Sequence, residues 1–241
     1  MSLHYKYADY GFETFRSVLN SSELVELESN LDRILTIYKA KNTGRVINYA
    51  DAEKTHINSI HRIEEMDDSF FKSLALRENI QSIGRKILGD GPITFSMQAF
   101  LKPPGIGRAT PPHQDNAYWC HTGDGGITMW IALDECGSKN GMIKYAKLNS
   151  KGLVLHQQST TTPGSSLVIP DEVLVNVDWY QPELMPGDCI VHHGFTIHKS
   201  DANTSKFSRR GFLINMRARN CVRDHEAHKN YLKNLEKIYG R

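Results

Sequence analysis

The sequence is short of the features that would assign it quickly. Only 4 of its 241 residues are cysteine, and none forms a C-x-x-C pair, which excludes a zinc knuckle or ribbon and a disulfide scaffold. Cys120, Cys136, Cys189 and Cys221 are expected to be reduced, half-buried thiols of a cytoplasmic protein. No apolar run approaches the ~18 residues of a membrane span, and residues 1–7 lack the apolar core of a signal peptide. Net charge is nearly absent too. Against 29 Lys+Arg stand 27 Asp+Glu, which leaves +2 and gives no electrostatic reason to expect nucleic acid or an anionic membrane as partner. There is no internal repeat and no low-complexity linker. With 39% hydrophobic and 23% charged residues, disordered, collagen-like and coiled-coil classes are excluded.

What is present begins as helix. Asn20-Ser21-Ser22-Glu23 has the capping-box pattern, and Leu24, Leu27, Leu31, Ile34, Leu35 and Tyr38 follow at three- and four-residue spacing. That predicts an amphipathic helix to about residue 40. Asp67-Asp68 opens a second segment carrying Phe71, Leu74, Leu76, Ile80, Ile83 and Ile87, stopped by Gly89-Asp90-Gly91. From residue 93 the texture changes to short β-rich stretches at 93–101, 127–133, 142–145, 166–169, 173–177, 188–193 and 211–216. Turn clusters such as Lys102-Pro103-Pro104-Gly105 separate them. Many short strands argue for an antiparallel double-sheet barrel or sandwich rather than a parallel α/β sheet. Residues 224–239 read as a surface helix. The expectation is one domain over 1–241, with helical support at 1–92, a β-barrel core at 93–220 and a C-terminal helix at 221–241.

Histidine is the compositional surplus, at 11 residues. Only one has a carboxylate two residues on: His113-Gln114-Asp115. On a strand, i and i+2 share a face, so this pair could grip one ion. About one such pattern is expected by chance in this composition, and a loop His beside a loop-capping Asp fits it as well. A 2-His-1-carboxylate triad needs a remote second histidine, and His192, His193 and His198 are all candidates. Arg209 and Arg210 follow, and an Arg on the next strand offers the planar fork that binds a carboxylate.

Five segments taken together say more. They are His113-Gln114-Asp115-Asn116-Ala117-Tyr118-Trp119, Trp130-Ile131-Ala132-Leu133-Asp134, Asn140-Gly141, Pro186-Gly187-Asp188, and His198-x-Ser200-x-x-Asn203 with Arg209 eleven residues past the histidine. In this order and spacing they resemble the phytanoyl-CoA dioxygenase family, which includes ectoine hydroxylase and many bacterial small-molecule hydroxylases. The resemblance runs from about residue 10 to residue 216.

The resemblance implies a mainly β fold with flanking helices around a double-stranded β-helix (jelly roll, cupin-like) core. It implies an Fe(II)- and 2-oxoglutarate-dependent dioxygenase that hydroxylates a small organic molecule, consuming O2 and turning 2-oxoglutarate into succinate and CO2. His113, Asp115 and His198 would be the iron ligands, His198 being preferred by its Ser200/Asn203/Arg209 frame. His192 and His193 would be strand residues. Arg209 and Ser200 would hold the distal carboxylate of 2-oxoglutarate. Gln114, Lys102 and Gln98 would be further contacts, and Trp130 either an aromatic wall beside the co-substrate or a core residue. Arg210 would face away and be solvated. Halogenating relatives carry Gly or Ala in place of Asp115, so its carboxylate argues for hydroxylation, desaturation or ring closure instead.

For the substrate, Asn116, Tyr118, Trp119, His156, Trp179, Met216 and Arg217 are the candidates by proximity to the motifs. The partner implied is a small molecule, with no nucleic acid or membrane and no oligomeric state assigned. One segment departs from the family: residues 142–152 replace its usual Pro-Gly-Ser-His stretch. That motivates an alternative, a non-catalytic sensor holding metal and 2-oxoglutarate on the same barrel.

Overall fold

The capping box closes as its sequence requires. In the computed structural model, Asn20 Oδ1 accepts the Ser22 and Glu23 amides at 3.0 Å, and Glu23 Oε2 accepts the Asn20 amide at 2.9 Å. The structure describes residues 7–41, 46–48, 56–66, 69–123, 126–162 and 165–239. Most of the first seven residues and the Asp67-Asp68 helix start lie outside them.

A short α1 (Tyr7–Tyr10) and β1 (Phe12–Phe15) precede the capped α2 (Ser21–Lys41). After β2 (Val46–Asn48) and β3 (Ile57–Ile60), the second predicted helix appears as two, α3 (Ser69–Ala75) and α4 (Glu78–Leu88). The break falls at Arg77, whose backbone is extended and whose guanidinium reaches Glu23 and Glu26 of α2. Bending there lets Phe71 and Leu74 of α3 and Ile80 and Ile83 of α4 all bury.

The β region comprises β4 (Ile93–Lys102), β5 (Thr110–His113), β6 (Gly126–Ala132), β7 (Ile143–Ala146), β8 (Gln157–Thr162), β9 (Ser165–Val168), β10 (Trp179–Tyr180), β11 (Cys189–His193), β12 (His198–Ser200) and β13 (Arg209–Arg217). One turn of helix, α5 (Asn116–Trp119), interrupts it, and α6 (His225–Tyr239) follows the last strand. The larger sheet has the order β1-β11-β6-β13-β4-β3-β2 and the smaller β10-β7-β12-β5; β8 and β9 form a separate ribbon. All these pairings are antiparallel, as expected of the jelly-roll core. Residues 173–177 form no strand: a 3-10 turn at Asp171–Val173 occupies that region. No described helix is long and apolar enough to cross a membrane.

Strand parity sorts the larger sheet into two faces. Ile127, Met129 and Ile131 of β6, with Phe212, Ile214 and Met216 of β13, join Leu27, Leu31, Ile34, Phe71 and Ile80 in one apolar layer beneath the helices. The alternate residues, Trp130, Arg209, Leu213 and Asn215 among them, face a cavity shared with the smaller sheet. Arg210 has the outward parity expected, but it is not simply solvated. It reaches Asp134 Oδ1 at 2.7 Å and also Glu28 of α2, tying the helical layer to the sheet.

Two glycines mark close approaches. Gly187, in the Pro-Gly-Asp turn, has φ +88°, and a Cβ there would lie 2.2 Å from the Leu19 carbonyl oxygen. Gly211 lies under the indole of Trp130, where a Cβ would come within 2.1 Å of Cζ2. Gly211→Ala is therefore expected to lower the urea midpoint by an equivalent of about 1–3 kcal/mol. Trp130→Leu in the same chain should recover part of that loss.

Candidate metal centre and its cavity

β5 is an edge strand built on Thr110-Pro111-Pro112-His113, tolerable because prolines lack an amide donor and the edge needs fewer. It pairs with β12 so that His113 and His198 lie directly opposite each other. Their rings sit 4.2 Å apart, centroid to centroid. Asp115 follows at the start of α5 and sends its carboxylate between them. Its Oδ1 is 3.6 Å from His113 Nε2 and 3.7 Å from His198 Nε2. Among the described residues these three form a group whose ligand atoms all lie within 4.8 Å of one another.

The donor chemistry fits a divalent transition metal. His113 Nδ1 lies 2.8 Å from the Pro111 carbonyl and His198 Nδ1 lies 2.9 Å from that of Thr196. Donation there assigns the proton to Nδ1 in each ring and leaves the Nε2 lone pair for the ion. Burial, with His113 and His192 nearby, keeps the His198 imidazole well below its ordinary pKa, hence neutral. Burial pushes the Asp115 carboxyl up, but His198, His113 and His192 outweigh it and hold it well below the usual carboxylate range. Two imidazoles and one carboxylate on one side of an ion make the facial arrangement that leaves positions open.

The second carboxylate oxygen is engaged elsewhere. Asp115 Oδ2 accepts the Thr128 hydroxyl at 2.5 Å and His192 Nε2 at 3.1 Å. Thr128 Oγ1 also lies 3.0 Å from Asn215 Oδ1. His192 Nδ1 in turn lies 3.1 Å from Tyr145 Oη, and burial keeps that phenol protonated and able to donate. His192, expected only as a strand residue, thus positions the carboxylate. Its neighbour His193 is the strand residue expected, the last of β11, and accepts the Phe195 amide on Nδ1.

Away from the triad, the cavity of about 720 Å³ ends in a cationic pocket. Lys102 Nζ donates to Ser200 Oγ at 2.6 Å and to the Asp201 carbonyl at 2.5 Å. Burial, then the Arg209 charge, lower the Lys102 pKa to about 6, with Asp201 opposing. The Arg209 guanidinium lies 5.4 Å from the Trp130 ring centroid, so this indole both lines the cavity and fills the core. Asn203 completes the motif by donating to the Lys102 carbonyl at 2.8 Å. Gln98 lines the cavity and hydrogen-bonds His61.

Gln114 lies apart from this group. Its amide donates to the Gly152 and Phe195 carbonyls at 2.9 and 2.6 Å and accepts the Val154 amide at 2.8 Å, pinning the 152–154 loop. Of the substrate candidates, Tyr118 and Trp119 line the cavity. His156 is held between the Gln114 amide and the Val154 carbonyl. Met216 is in the apolar layer, Trp179 lies under the Lys199 ammonium, and Arg217 turns to the Cys221 carbonyl. Asn116 braces the turn at His121.

A family model described as phytanoyl-CoA dioxygenase (PhyH) matches residues 7–211. The chain belongs to the phytanoyl-CoA dioxygenase family. It is 25% identical over 166 residues to phytanoyl-CoA dioxygenase 1 of Oryza sativa subsp. japonica, covering 68% of this chain and 59% of that one. The chain thus spans less than two thirds of the rice protein. It is 27% identical over 219 residues to a probable alpha-ketoglutarate-dependent hypophosphite dioxygenase of Stutzerimonas stutzeri, covering 87% of this chain and 75% of that one. Among solved structures, EctD from S. alaskensis with 2-oxoglutarate and 5-hydroxyectoine shares the fold. The TM-score is 0.70 at 20% identity, over 88% of this chain and 73% of that one.

His192→Leu removes one bond to Asp115 Oδ2 and frees the carboxylate to swing. Co(II) titration is expected to show about 10–100-fold weaker binding, with His192→Gln recovering part of it. Unchanged Co(II) affinity in His192→Leu would show that Thr128 alone suffices.

Proposed function

We propose that this chain is an Fe(II)- and 2-oxoglutarate-dependent oxygenase that hydroxylates a small organic molecule. The observation that carries the reading is the shared cavity: free Nε2 atoms and Oδ1 of the triad face the same space that ends at Arg209, Lys102 and Ser200. Bound Fe(II) supplies the activation of O2, coupled to oxidation of 2-oxoglutarate to succinate and CO2 and insertion of one oxygen atom into a C–H bond.

The protein's share of the work is placement. Arg209 and Lys102 supply positive charge, and Ser200 a hydroxyl, for the distal carboxylate of the co-substrate. Trp130 and Leu213 wall that end against water. His192 and Thr128 hold Asp115 Oδ2, so that Oδ1 alone would be left for a bound metal. We further read the chain as one domain working in the cytoplasm, which agrees with four free cysteines.

Under argon, Fe(II) plus 2-oxoglutarate should give a weak visible absorption band, absent in His113→Ala. In Arg209→Ala it should need far more 2-oxoglutarate. No band, together with no O2-dependent succinate, would remove the proposal.

Lys102 adds a pH signature. Its pKa is about 6 without co-substrate, and a bound carboxylate raises it, so binding takes up a proton. Affinity for 2-oxoglutarate is therefore greatest below pH 6 and falls as pH rises from there towards the pKa of the bound form. Calorimetry across that range should show the fall in the parent protein and a flatter profile in Lys102→Met.

A further inference from the structure

The cavity's charges do not balance evenly along its length. At the inner end, Lys102 and Arg209 belong to the co-substrate pocket. On the β3 side, Arg62 pairs with Glu65 at 3.6 Å, while Glu64 accepts the Met97 amide at 2.7 Å. Lys199 lies over the Trp179 ring, 4.1 Å from its centroid. At the outer end Arg223 and His228 also line the cavity. Among the described residues neither side chain has a hydrogen bond or an ion pair; burial first, then the charges of Arg223 and His225, lower the His228 pKa.

The imidazole beside this pair is uncharged. Burial, then Arg223, Arg217 and His228, lower the pKa of the neighbouring His121 to about 4. Between this end and the metal ligands the wall is aromatic. Tyr118 meets the His113 ring edge-on at 5.8 Å, and Tyr231 of α6 meets Tyr118 at 5.9 Å. Phe95 joins them through a register shift. Asn215 pairs with Ser96 but Met216 with Thr94, so Phe95 is the extra residue of a β-bulge and, like Ser96, lines the cavity. Arg223, His228 and Tyr231 all lie beyond residue 211, where the family match ends.

We propose that the substrate carries an oxyanion, of carboxylate or phosphate type, bound by Arg223 and His228 at the outer end of the cavity. Its carbon body lies along Tyr118, Tyr231 and Phe95, which brings a C–H bond towards the His113–Asp115–His198 face. This rests on the oxygenase reading above and adds the substrate's charge to it. Two unpaired basic groups lining a cavity gain from an anion that spans both, and an uncharged ligand leaves that gain unused.

The test uses three probes of one shape: benzoate, phenylphosphonate and the neutral benzamide. Each is titrated by calorimetry into full-length protein already saturated with Co(II) and 2-oxoglutarate, so that the inner cationic pocket is filled. Binding of either anion about tenfold or more tighter than benzamide, with that preference lost in Arg223→Gln/His228→Gln, is the expected result. Which anion binds better tells carboxylate from phosphate-type recognition. Equal binding of benzamide, no binding of either anion, or an anion preference kept in the double variant would overturn the proposal. The preceding titration of 2-oxoglutarate separates the two failures. If the parent protein does not take up 2-oxoglutarate, the oxygenase reading falls and this one with it; if it does and shows no anion preference, only the substrate class falls.

Discussion

One carboxylate with two occupations holds this site together. Asp115 is half-buried, and its two oxygens are engaged differently. Oδ1 stands between two histidine Nε2 atoms, and Oδ2 is fastened to Thr128 and His192. Every neighbour depends on that division. The histidine rings are turned by the carbonyls of Pro111 and Thr196, which fixes their tautomers, and the sheet register sets the two rings opposite each other. A carboxylate free to rotate would close a position that an oxygen-using metal needs open. The polar groups behind Asp115 therefore fix which oxygen faces the cavity, beyond satisfying a half-buried charge.

Around that centre the larger sheet works as a partition. Odd-numbered residues of β6 and even-numbered residues of β13 pack on the helices, and their alternates build the cavity. Stability and chemistry occupy opposite faces of the same strands. The Arg210 contacts with Asp134 and Glu28, on the helix side, sit next in sequence to Arg209 on the cavity side. The Pro186-Gly187-Asp188 and Asn140-Gly141 motifs serve this scaffold: Asp188 receives Arg16 and the Ser17 amide, and Asn140 clamps its own turn.

Much of this is legible in the sequence. The triad residues and Arg209 stand in short motifs: cross-strand pairing sets His113 opposite His198, whereas Asp115 reaches them from the start of α5, just past the strand, and not by strand parity. The long apolar strands show in local composition. What escapes has physical causes. β5 is hidden by its two prolines, and β12 is too short to show alternation. The helix break at Arg77 leaves no glycine or proline as a signal, since tertiary contacts to α2 make it. Gln114 sits between His113 and Asp115 in sequence, yet the chain leaves the strand there and its side chain turns to the Gly152 and Phe195 carbonyls. The role of His192 depends on its pairing across from Thr128, a register no single strand reveals. Parity from Trp130 back to Thr128 is the available clue. Place on a strand favours Arg217 over Arg223, whereas the cavity is closed by the segment after that strand.

The bulge at Phe95 separates β4 into two lengths that need not change together. On the inner side Gln98, Phe100 and Lys102 keep step with β13 and hence with Arg209. On the outer side the strand has slipped by one residue, so what faces the cavity there answers to a different register. Insertion or loss of a residue at this point would redraw the outer wall of the cavity while leaving its Arg209–Lys102 end in place. A fold with such a joint can vary in what it accepts without relearning how it reacts.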